Sequence, residues 1–206
     1  MNSYLRHLIT AGFIVATGLP AFADTLTPPP VPPDLEAPAG NTVFLKGNAV
    51  GTQNYICLPS GSGFAWTFFG PQATLFFTLS WFGKEVRQQI ITHFLSTNPF
   101  EAGTPNRPTW QSSFDTSAVW GSQVASSTDP KFVAAGAIPW LLLQVAGAQR
   151  GPTGGGTLIQ ATFVQRLNTS GGVAPSTGCS QATNIGSNAL VPYTADYFFY
   201  RASREN

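Results

Sequence analysis

From Asn41 onward, apolar and polar side chains alternate with a period of two, the pattern of strands that bury one face. Leu75, Phe77, Leu79 and Trp81 alternate with Thr74, Phe76, Thr78 and Ser80. Phe82-Gly83-Lys84 turns the chain, and Val86 to Leu95 returns as a second strand. Val86, Ile90, Ile91 and Phe94 would also fit one face of a helix, but Ile90, Ile91 and Thr92 are β-branched in succession and favour a strand. Ile138 to Val145 is a continuous apolar run, as expected of a strand buried on both faces. Ile159, Ala161, Phe163 and Leu167 predict a further strand after the Gly151–Gly156 loop. Tyr193, Ala195, Tyr197 and Phe199 predict the closing one, alternating with Thr194, Asp196, Phe198 and Tyr200. Thr42–Leu45, Asn54–Leu58 and Phe64–Phe69 supply three shorter strands. Residues 96–135 carry little periodicity and read as long loops. The expected fold is all-β: a mostly antiparallel sandwich or barrel-like single domain over residues 41–206.

The first residues read differently. Arg6 and His7 precede an apolar run from Leu8 that ends in Ala21-Phe22-Ala23, the small-x-small pattern read by signal peptidase. The expectation is a signal peptide over 1–23, a mature chain from Asp24, and a secreted, periplasmic or extracellular location. No later segment reaches membrane-spanning length. Residues 24–40 hold Pro28, Pro29, Pro30, Pro32 and Pro33 and read as an extended linker, or an arm lying along the domain. Cys57 and Cys179 are the only cysteines. In an exported chain they most simply form one disulfide; two separate buried thiols are the alternative.

Charge changes the picture by exclusion. Lys plus Arg number ten and Asp plus Glu nine, with no basic cluster, so nothing in the sequence steers nucleic acid to the surface. No Gly-x-Gly-x-x-Gly follows a strand and no βαβ alternation exists, which excludes a dinucleotide fold.

Several separated segments then form a recognisable set. They are Gly51-Thr-Gln53-Asn-Tyr55-Ile-Cys57, Trp66 with Pro71-Gln-Ala73, Pro108-Thr-Trp110 with Asp115, and Ile138-Pro-Trp140-Leu-Leu-Leu143. Gln165-Arg-Leu-Asn-Thr-Ser-Gly-Gly172 follows, with Ala174-Pro175 and Cys179, and last Val191-Pro-Tyr193-Thr-Ala-Asp196-Tyr197-Phe-Phe-Tyr200. Over residues 34 to 201 the chain resembles a family of small exported bacterial and fungal proteins, the domain of unknown function thirty-four fifty-five. The resemblance implies export and cysteine pairing, and it carries no activity or catalytic residues to transfer.

The residues leave few catalytic options. His93 is the one histidine after the leader, which removes multi-histidine metal sites, and no metal or other cofactor is expected. As a general base His93 would need Asp115 or Glu85; as a structural residue it would be a hydrogen-bonded strand histidine, the reading favoured here. A glycosidase needs two carboxylates roughly 5–9 Å apart, and Asp115, Glu85, Glu101 and Asp196 show no pairing in sequence. Trp110 and Trp120 fall in the loop-rich part, where exposed rings would stack on sugar faces or a partner; core packing is the competing reading. Trp140 belongs to the core. Arg166 is a candidate for binding an anionic ligand, against a role anchoring backbone carbonyls. Asn168-Thr-Ser170 fits the glycosylation sequon, relevant only in a eukaryotic host. The leading expectation is a non-catalytic extracellular binding or surface-associated module whose partner is a carbohydrate or cell-surface component. A secreted hydrolase using His93 or a carboxylate pair is second, and a structural envelope or matrix protein third.

Overall fold

The computed structural model describes residues 26–96 and 107–203. The expected leader, its cleavage pattern and Glu101 lie outside the described residues. Eight strands follow one another: β1 (Asn41–Ser60), β2 (Gly63–Trp81), β3 (Lys84–Leu95), β4 (Pro108–Ser112), β5 (Ala118–Ser127), β6 (Trp140–Gln149), β7 (Ala161–Gly171) and β8 (Asn188–Ala202). Each pairs antiparallel with the next, and β1 pairs with β8, so the sheet closes into an up-and-down barrel. Of the two architectures left open by the sequence, the chain adopts the barrel. Closure leaves no free sheet edge around the ring.

The alternation along each strand sorts side chains to two sides of the wall. Tyr193, Ala195, Tyr197 and Phe199 of β8 face inward and join Leu143, Leu75, Ile91, Val119 and Val164 in the interior core. The other parity of the same strands is also buried. Trp140 and Leu142 of β6, Leu167 of β7 and Phe198 and Tyr200 of β8 form a second cluster on the outside, closed over by Leu35. Leu35 belongs to a 3-10 turn at Pro33–Leu35 and is fully buried. The Pro-rich segment thus lies against the barrel, pinned by Gln165 Nε2 donating to the Leu35 carbonyl while Tyr200 donates to Gln165 Oε1 at 2.6 Å. This covering explains the apolar run Trp140–Leu143 at the start of β6, where both faces leave water; from Gln144 onward the strand is exposed or half-buried.

One expectation is corrected. Residues 96–135 are not all loop, because β4 and β5 lie there and complete the ring. β4 is only five residues long, and the second half of β5 carries Ser122, Gln123, Ser126 and Ser127, so neither shows an apolar period. Trp110 and Trp120 are therefore strand residues, 1% and 9% exposed, and neither presents a ring at the surface. Trp120 lies across Gly147 of the paired strand, where an added Cβ would meet the ring at 2.5 Å.

The disulfide forms between Cys57 and Cys179, with Cα atoms 5.5 Å apart. It ties the end of β1 to the segment joining β7 to β8. At the opposite end of the barrel, β2 and β3 extend past their other neighbours as a two-stranded ribbon with Phe77, Leu79 and Val86 exposed.

Candidate functional site

The ends of β1, β3, β5 and β7 and the starts of their even-numbered partners form the mouth of the barrel. Below it lies a cavity of about 780 Å³. Eight strands give an interior just wide enough to be filled by side chains or to hold one small ligand. Here the two halves differ. The far half is packed, and the half under the mouth is open between Phe68, Leu95, Trp110, Leu141, Leu143 and Tyr197.

The floor is set by the loop from β6 to β7. Leu158 is fully buried and enters the interior core. Its amide donates to Ser117 Oγ at 3.1 Å, and Ser117 Oγ donates to Asp115 Oδ1 at 2.7 Å. Asp115 Oδ2 accepts from the amide and hydroxyl of Thr157 at 2.8 and 2.7 Å. Glycine is required beside this carboxylate: a Cβ on Gly151 would lie 1.7 Å from the Asp115 carbonyl, and one on Gly155 2.4 Å from the Asp115 Cβ. Burial pushes the Asp115 carboxyl up, but the hydrogen bonds from Thr157 and Ser117 outweigh it and hold the group well below the usual carboxylate range. Both oxygens of Asp115 are used in holding Leu158 as a stopper.

His93, on β3, faces the lumen and is 2% exposed. Its ring stacks on Trp110 with centroids 4.6 Å apart and planes 6° apart, and Tyr197 lies 5.2 Å away. Nδ1 meets the Thr109 carbonyl at 2.9 Å, so Nδ1 carries the proton and donates. Desolvation drives the imidazole down to about 3; the Thr109 contact opposes this and the Arg166 charge adds to it. Near neutral pH His93 is an uncharged, weakly basic donor. Asp115 is at the far end of the barrel. Glu85 sits in the ribbon, paired with Arg87 at 2.8 Å and roughly 25 Å along the strand from His93. The structure does not bring His93, Asp115 and Glu85 together. Asp196 is on the outer wall, bound by Lys46 at 3.1 Å and by Asn48 and Asn168 amides. Among the described residues no three histidine, cysteine or acidic side chains gather in a metal-holding group.

Arg166, on β7, is the charged residue among the described residues lining the lumen. Nε and Nη2 donate to the Pro139 carbonyl at 3.2 and 2.9 Å, which secures the segment entering β6. Its charge acts on Tyr55, His93, Tyr193 and Tyr197 alike. Burial pushes the Tyr197 hydroxyl up and Arg166 draws it partly back. Tyr193 and Tyr197 share a hydroxyl contact of 3.3 Å, and Tyr55 donates to the Gly172 carbonyl at 2.7 Å.

A family model described as a protein of unknown function (DUF3455) matches residues 38–201. The chain belongs to this family. No curated protein and no solved structure matches the chain. The matched span of DUF3455 takes in β1 to β7, all of β8 but its last residue, both cysteines and Arg166, and it includes every described residue lining the lumen.

Of the sequence candidates, His93, Trp110 and Arg166 meet at the lumen, whereas Trp120, Asp115 and Glu85 do not. Sequence reading missed Gln53, Tyr55, Gln123 and Tyr197 as wall residues. Their common signal is parity. Each is polar or polar-tipped at an inward position, where a filled barrel would carry an aliphatic residue.

Proposed function

We propose that this DUF3455 chain is a binding protein that holds a small, largely apolar molecule inside its barrel and works outside the cytoplasm. The carrying observation is the half-open lumen: about 780 Å³ under one mouth, above a packed floor. That size falls within the range of ordinary ligand pockets, and mostly apolar walls with a few polar groups are what such pockets share. The disulfide is consistent with an oxidising compartment. Catalysis by His93 is unsupported, since its basicity is low and no carboxylate among the described residues pairs with it.

The test is a titration of the disulfide-intact protein with the neutral fluorophore N-phenyl-naphthylamine. Saturable binding at one equivalent per chain is expected. Leu141→Trp, which places a larger ring into the lumen, is expected to weaken it several-fold. Absence of saturable binding, or binding indifferent to Leu141→Trp, overturns the reading.

A further inference from the structure

We infer that the lumen selects an organic anion, with one carboxylate- or sulfonate-type group at Arg166 and an apolar, ring-sized body between Trp110, Leu141 and Leu143. This rests on the lumen reading above and goes beyond it by fixing the charge of the ligand.

The charge of the wall is unbalanced among the described residues. Arg166 contributes a full positive charge, and its guanidinium contacts a neutral carbonyl rather than an acid. The ion pairs of the described residues, Lys46 with Asp196 and Arg87 with Glu85, lie elsewhere. No aspartate or glutamate occurs among the described residues lining the cavity. Among the described residues, the Arg166 charge therefore has no counter-charge within the lumen.

One further donor lacks a partner. Trp110 Nε1 is buried, makes no hydrogen bond and belongs to a residue of the same wall, whereas the Gln53 amide is directed at the Tyr193 hydroxyl. Trp110 is 1% exposed, so ordinary solvent does not relieve it. Buried polar groups in native proteins are nearly all satisfied, and an orphaned donor in a ligand cavity calls for an acceptor on the ligand. A carboxylate or sulfonate supplies several acceptor oxygens and a charge opposite to Arg166. Tyr197 and His93 beside it are both uncharged, so neither offsets the Arg166 charge. Apolar walls strengthen the attraction over its value in water. A cationic ligand would meet repulsion, and a neutral one would cover Arg166 without pairing it, which costs affinity.

The experiment uses a matched pair of probes: anilinonaphthalene sulfonate, and N-phenyl-naphthylamine, which keeps the two ring systems without the sulfonate. A charge-assisted contact of this kind corresponds to roughly tenfold to a hundredfold in affinity. The sulfonate is expected to bind at least tenfold more tightly, and each probe to displace the other. Arg166→Gln should bring the two affinities together while N-phenyl-naphthylamine still binds. Because Arg166 also secures Pro139, Arg166→Lys serves as the second variant and should retain part of the preference. Equal affinities in the unaltered protein overturn the anion inference and leave the lumen reading standing. A sulfonate preference that survives Arg166→Gln places the anion elsewhere and overturns it too. If neither probe binds, the lumen reading fails and the inference with it.

Discussion

Acidification should destabilise the barrel through His93. The imidazole is buried against Trp110 and Tyr197 and titrates at about 3 in the folded protein, against 6.5 for an exposed histidine. The folded value is depressed, so between these two pH values the unfolded chain binds a proton that the folded chain refuses. Stability is then fully present above about pH 6.5 and falls as the pH drops towards 3. Each pH unit in that window is equivalent to about 1.4 kcal/mol. Between pH 8 and pH 5 the loss from this one group amounts to about 2 kcal/mol, and most carboxylates have not begun to protonate at pH 5. The assay is urea unfolding at both pH values, for the unaltered protein and for His93→Gln, with the free energy taken by linear extrapolation. His93→Gln lowers stability at pH 8 by disturbing the Thr109 contact and the stack, but should remove the 2 kcal/mol difference between the two pH values. Equal pH dependence in both proteins would refute the argument, because His93 would then not be the buried group that resists protonation.

Asp115→Ala should cost about 1–3 kcal/mol by releasing Thr157 and Ser117, and amide exchange at Leu158 should speed up more than at Tyr197. Replacing Cys57 and Cys179 together by serine opens a loop with a sequence separation of 122 and should lower stability by up to about 5 kcal/mol on chain-entropy grounds, read as a lower urea midpoint. Leu35→Ala should destabilise by about 2–5 kcal/mol, since the side chain is fully buried under the arm; limited proteolysis should then cut the Pro-rich segment sooner.

How much of this was legible in the chain depends on what each strand faces. β8 and the barrel portions of β2 and β3 announce themselves by alternation between the two sides of the wall; in the ribbon the same alternation continues through Phe77, Leu79 and Val86, but these side chains are exposed, so the buried face expected there is not formed. The apolar run of β6 signals double burial, which the outer cluster under Leu35 accounts for. β5 was invisible for a reason tied to the open lumen. Gln123 and Ser126 border the open lumen, so the inward parity of that strand is polar where packing would have made it apolar. Barrel closure was equally hidden, since it depends on β1 pairing with β8 across nearly the whole length of the barrel's chain, and no local pattern encodes that register. At the site, His93 stood out as the one histidine after the leader and Arg166 as a charge just before the Gly171-Gly172 turn, but their meeting with Tyr197 and Trp110 follows from strand order. Asp115 was singled out for chemistry and proves to be structural, since all its acceptor capacity is spent within its own turn and on Thr157.

The most direct test of the central claim is a crystal structure of the protein soaked with anilinonaphthalene sulfonate. The account predicts the naphthalene ring within the lumen beside Trp110 and Leu143, with the sulfonate oxygens at Arg166. Density for the probe only on the outer wall, such as the exposed ribbon of Phe77, Leu79 and Val86, would contradict it.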